Sequence, residues 1–167
     1  MIIRTCLKVA PLALLALTLG TPATAADPVH TAAQDPATAK GVIRLRSTKD
    51  FDATVAAIKA DIAAKGIRFF TEIDQKALGA EAGLNVRRST LILFGNPPLG
   101  VQFLQSNPYA GLDWPVRMLV LEDEAGQVWV AWTDFDWIAD RYGIADRGPQ
   151  FRMASMVAAS IASSANR

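Results

Sequence analysis

Chemistry at neutral pH needs side chains that titrate, ligate or attack, and this chain holds few of them. Its 167 residues include one histidine, His30, and one cysteine, Cys6. A nucleophilic triad needs a base that titrates near neutrality, usually histidine. His30 stands in an Ala-, Pro- and Thr-rich stretch, which is a poor platform for catalysis. Zinc, copper and haem sites that rely on histidine or cysteine ligands are handicapped in the same way. The expectation is therefore no metal site and no cofactor.

Carboxylates are the remaining acid–base material. Glu122, Asp123 and Glu124 crowd one turn, and Asp134, Asp136 and Asp140 gather around a helix start. A paired-carboxylate mechanism needs two such groups facing each other across a cleft. A hairpin tip is more simply a solvated turn, and aspartates in a first helical turn are favoured by the helix dipole.

Polar side chains at strand ends offer a binding alternative. Asp74 and Gln75 close a predicted strand, and Asn96 follows another. If these ends converge, Asp74, Gln75 and Asn96 form a small-ligand site, with Gln102 and Asp113 as neighbours. Local duties compete with that reading, because Asn96 could cap a helix and Asp113 could bond its own turn.

The elements that would position these residues are legible from periodicity. "VIRLR" alternates as a first strand, with Ile43 and Leu45 on one face. Ser47 and Asp50 resemble a capping box for a helix with Phe51, Val55, Ile58 and Ile62 on one face, and Gly66 is a natural stop. "IRFFTEID" predicts a second strand with Ile67, Phe69, Thr71 and Ile73 aligned. Gln75 to Leu84 reads as a short helix or irregular crossing. "STLILFG" is apolar on both faces and predicts a central strand. Val116 to Leu121 and Val128 to Thr133 flank an acidic turn as a hairpin. Trp129 and Trp132 fall on opposite faces of that second hairpin strand, so one of them must face something other than the core. Asp134 and Gly143 bracket a helix, and Pro149 to Ala162 reads as a last one, with Met153, Val157 and Ile161 inward. The order β-α-β-(α)-β-α-β-β-α-α predicts an α+β fold, an antiparallel sheet of about five strands with helices packed on one face.

"FGNPPLG", Phe94 to Gly100, invites comparison with a phosphate loop. Asn96 is a good N-cap and Pro97 a good first helical residue. An anion site at a helix start needs free backbone N–H groups, and Pro97 and Pro98 have none. The spacing also matches neither the Walker nor the Rossmann pattern. The turn reads as a joint.

The N-terminus carries Arg4 and Lys8, an apolar run from Val9 to Leu19 and then Ala23-Thr24-Ala25, the pattern of a secretory signal peptide. The domain reading is a signal peptide over 1–25, a flexible leader over 26–40 and one domain over 41–167, its C-terminal helix spanning about 149–163. Cleavage after Ala25 would remove Cys6, Arg4 and Lys8, taking the chain from 17 to 15 basic residues against 16 acidic. Nothing in that balance attracts nucleic acid, and no later apolar run is long enough to span a bilayer. A soluble protein of the bacterial periplasm, or one secreted beyond it, is expected.

Several segments together resemble a bacterial family, domain of unknown function 302. They are "FFTEID" (Phe69–Asp74), "LILFGNPPLG" (Leu91–Gly100), the run from Gln105 to Asp134, and the helix ending "RYG". The resemblance implies a TATA-box-binding-protein-like α+β fold and a homodimer, and it supplies no established reaction. Relatives commonly read Ile-Asp-His where this chain reads Ile73-Asp74-Gln75. Glutamine hydrogen-bonds but cannot titrate. The expected function is thus an exported, non-enzymatic small-ligand-binding or protein-interaction module. The alternative is an enzyme using carboxylates or an external cofactor.

Overall fold

The computed structural model describes residues 39–167. The predicted signal peptide, His30 and nearly all of the predicted leader lie outside the described residues. Segments rich in apolar residues make five strands: β1 (Val42–Arg46), β2 (Arg68–Asp74), β3 (Ser89–Gly95), β4 (Val116–Glu122) and β5 (Val128–Thr133). They pair antiparallel in one sheet, in the order β1-β5-β4-β3-β2. The helices are α1 (Phe51–Ala64), α2 (Gln75–Glu81), α3 (Pro97–Ser106), α4 (Phe135–Tyr142) and α5 (Gly148–Ala162). A short 3-10 helix, Pro108–Asp113, links α3 to β4. The α+β expectation holds.

One face of the sheet carries the core. Ile92 and Phe94 of β3, Met118 and Val120 of β4, and Val128, Val130 and Trp132 of β5 are buried in a single cluster. The helices meet them with Phe51, Ile58 and Ile62 of α1, Phe103 of α3, Ile138 of α4 and Ile161 of α5. The intervening strand residues point to the opposite face. There Leu91, Leu93, Leu119, Leu121 and Trp129 stay half-buried, and Arg44 lies over the Trp129 ring at 4.0 Å. The two hairpin tryptophans do face opposite ways. β3 is therefore buried on one face only, although its sequence is apolar on both.

Three local readings need correction. Asp50, not Ser47, caps α1, its carboxylate accepting from the Ala53 N–H at 2.8 Å. Ser47 is instead buried, its hydroxyl 2.7 Å from that of Thr54. In β2 the pairing passes from Phe69↔Phe94 to Thr71↔Leu93, leaving Phe70 as an extra residue. Such a bulge inverts the phase of the strand, so Phe69 lies on the helix side while Thr71 and Ile73 face the other way. In α5 the buried stripe is Phe151, Ala154, Ala158, Ile161 and Ala162; of the expected stripe Ile161 is buried and Val157 partly so, while Met153 is exposed. Alanines allow close approach to the sheet, and Phe151 stacks on Phe103 with ring centroids 4.2 Å apart, which rotates the helix away from the predicted face.

Candidate functional site

The predicted polar site does not assemble. Asp74 pairs with Thr90 at the start of β3, whereas Asn96 follows Gly95 at its end. A strand of this length separates them by about 20 Å, at about 3.3 Å per residue. Asp74 caps α2, accepting from the Ala77 N–H at 3.0 Å. The Gln75 amide oxygen accepts from the Ser89 hydroxyl at 2.6 Å. Gln102 bridges helices: its amide donates to the Pro98 carbonyl at 2.9 Å and accepts from Gln150 at 3.1 Å. Each of these three side chains has a local structural partner.

Asp113 is the most heavily engaged of the five. Its side chain is only 3% exposed, and it receives Arg117, Arg141 at 3.0 Å and the Tyr142 hydroxyl at 2.6 Å. These partners come from β4 and α4, so the carboxylate ties the 3-10 helix to both. Burial and the adjoining Asp113 carboxylate together push the Tyr142 hydroxyl above its ordinary pKa, because both disfavour a phenolate. The group is a structural clamp rather than a vacant ligand site, and it reaches beyond the turn that Asp113 was expected to bond.

Asn96 differs from the other four. It occupies the N-cap position of α3, with Pro97 next, yet its side chain makes no capping bond. Its backbone carbonyl instead accepts from Leu99 at 3.0 Å and Gly100 at 2.9 Å. The exposed amide makes no hydrogen bond with any described residue, and it sits at the edge of an apolar cavity.

That cavity, about 360 Å³, opens between the end of the sheet and the helices. Phe94 and Val116 come from the strands, Leu99 from α3, Phe135 from α4, and Met153 and Val157 from α5. Trp114 forms part of its wall, and Asn96 and Lys65 are its polar members. The placement of Trp114 explains the glycine-framed turn. A Cβ on Gly95 would lie 2.5 Å from Trp114 Cη2, and one on Gly100 would lie 2.1 Å from Cε2 and Cζ2. Non-bonded carbons rest at about 3.5–4.0 Å, so only glycine at both positions admits the ring. Together the two glycines seat the indole.

No carboxylate, histidine, cysteine or hydroxyl lines this cavity. Its volume and apolar lining with few polar groups match small-molecule sites. A second cleft, about 210 Å³, lies near Asp74 and Arg88, but its charges are largely paired: Arg88 with Asp52, and Glu72 with Lys59 at 2.8 Å. Among the described residues, no group of three His, Cys, Asp or Glu could hold a metal ion. Neither Trp114 nor Lys65 was among the site residues expected from the sequence. The available signal was the pair of glycines five residues apart, each demanding a close neighbour.

Among the described residues, fold and cavity define an α+β domain with one antiparallel sheet, core-forming helices on one of its faces and a pocket at the sheet's end. The family model for domain of unknown function DUF302 matches residues 43–163, and the chain belongs to that family. A crystal structure of an uncharacterized conserved DUF302 protein from Bacillus stearothermophilus superposes with a TM-score of 0.69 at 12% identity, covering 76% of this chain and 99% of that one. At that identity the likeness speaks for the fold alone. Proteins named fluoride-specific ion channel FluC 1 from Brucella suis and Brucella abortus are each 35% identical over 104 residues. The match covers 62% of this chain but only 41% and 38% of those proteins, so this chain spans about two fifths of their length.

Proposed function

We propose that this is an exported, non-enzymatic binding domain whose small ligand occupies the cavity walled by Trp114. The observation that carries this reading is an apolar pocket of ligand size, rimmed by a polar side chain that no described residue occupies. The lining has no carboxylate, histidine, cysteine or hydroxyl, and its one titratable side chain, Lys65, is paired with Asp61, which favours binding over turnover. Export rests on the N-terminal sequence pattern. Ion conduction, named for the Brucella relatives, needs a membrane span that no helix among the described residues supplies, so a channel role is not proposed for this domain.

Native mass spectrometry of the protein from its own host tests the reading. A bound non-protein mass is expected, and it should be absent from Val157→Trp, which fills the cavity. A bare chain, together with no response of the Trp114 indole N–H signal to any small apolar probe, would overturn it.

A second reading has its own support. The sheet face bearing Leu91, Leu93, Leu119, Leu121 and Trp129 is left open by the core-forming helices, and apolar faces of that kind are characteristic of interfaces. A homodimer joined through this face is compatible with ligand binding at the sheet's end.

A further inference from the structure

Within the binding reading above, on which this inference rests, we propose that the ligand is an amphipathic monoanion. An aliphatic body fills the Trp114 cavity, and its carboxylate meets Lys65 and Asn96 at the mouth.

Three observations converge on this class. The first is size. About 360 Å³ is room for about a dozen non-hydrogen atoms at about 30 Å³ each, the scale of a medium-chain acid rather than a nucleotide or a peptide.

The second is the lining. The walls are apolar side chains, with Met153 more than half exposed where it meets the cavity. Methionine is unbranched and adapts to irregular apolar shapes, which suits a flexible chain at the entrance.

The third is the sign of the polar groups. Lys65 and Trp114 can only donate through their side chains, and Asn96 brings two donors with its one acceptor oxygen. Neither the Asn96 amide nor the Trp114 indole N–H makes a hydrogen bond with any described residue. The Lys65 ammonium spends one of its three donors on Asp61 Oδ2, while Asp61 Oδ1 is held separately by Arg167 at 3.1 Å. Asp61 is therefore flanked by two cations, and the local balance of these three groups is +1. No carboxylate belongs to the cavity lining. An ionised carboxylate is acceptor-only, so it complements this rim, whereas an alcohol gains no charge-assisted bond and an amine is repelled.

The test compares octanoate, octanol and octylamine by titration calorimetry and by the Trp114 indole N–H signal, assigned with Trp114→Phe. Octanoate is expected to bind about tenfold or more tighter than octanol, and octylamine weakest. Lys65→Gln should bring octanoate down to the octanol level and leave octanol unchanged. Lys65 is an exposed surface residue whose loss spares the core, and unchanged thermal unfolding of the variant verifies that. Equal affinity for octanoate and octanol, or tight octanoate binding in the Lys65 variant, overturns the anion assignment while the binding reading stands. No binding of any of the three overturns both.

Discussion

Trp114 and Gly100 are in such close contact that a Cβ on the glycine would stand 2.1 Å from ring carbons Cε2 and Cζ2. The aromatic ring and the start of α3 are thus fitted to each other. Gly100→Ala should destabilise the domain by about 2 kcal/mol or more, the scale of forced overpacking. Gly111→Ala serves as the control, because its added methyl would meet only Leu104 at ordinary contact distances of 3.9 and 4.0 Å. Urea unfolding followed by tryptophan fluorescence should separate the two; equal midpoints would show that the ring relaxes freely.

Removing the acid at the Asp113 clamp should be costly on a similar scale. Asp113→Ala leaves the Tyr142 hydroxyl without its partner and two guanidinium groups without theirs. Both arginines are more than 40% exposed, so water re-solvates them and the loss is set mainly by the phenol and the vacated space, about 2 kcal/mol. Tyr142→Phe should cost about 1 kcal/mol. In a double-mutant cycle the two losses should be less than additive, and strict additivity would show that they do not act as a unit.

The hairpin turn should confer an acid-dependent increment of stability. Trp129 Nε1 donates to Asp123 at 2.8 Å, and the backbone N–H groups of Gln127 and Ala125 donate at 2.8 and 2.9 Å. The Trp129 bond first, then the backbone bonds, hold the carboxyl below its ordinary pKa of 3.8. A depressed folded value means that the benefit is full above the unfolded pKa and is lost as pH falls through the folded one. Asp123→Ala should therefore lower the melting temperature at pH 7, and the gap to the parent should narrow below about pH 4. A gap independent of pH would show that the side chain acts by shape alone.

The sheet face that the described helices leave open makes a separate prediction about assembly. Leu119→Arg places a charge in the middle of the half-buried apolar residues of β3, β4 and β5 without touching the core on the other face. The far-ultraviolet circular dichroism should be unchanged, while light scattering shifts from a dimer to a monomer. A parent protein that is monomeric at micromolar concentration would remove the dimer reading and leave the pocket unaffected.

The sequence by itself determined the elements, because each rests on a local rule. Alternation marked β1 and β2, an unbroken apolar run marked β3, two runs flanking an acidic turn marked the hairpin, Asp134 and Gly143 bounded α4, and the absent N–H groups of Pro97 and Pro98 ruled out a phosphate loop. Quoted motifs around Gly95 to Asp134 were enough to place the chain in its family. What failed were inferences that depend on phase or on distance. One extra residue, Phe70, reversed the faces of β2, and the small alanines of α5 turned that helix away from its most hydrophobic-looking stripe.

Only the tertiary structure decided the site. Asp74 and Asn96 both stand at strand ends, and a sequence does not say which end when strands run antiparallel. Nor does it say that Asn96 would leave its cap bond unmade or that Asp113 would be enclosed by Arg141 and Tyr142 from a distant helix. The joint at Gly95–Gly100 looked like a turn because its residues are turn residues. It proved to be a seat because Trp114 returns to it from across the 3-10 helix, a contact set by packing and not by spacing.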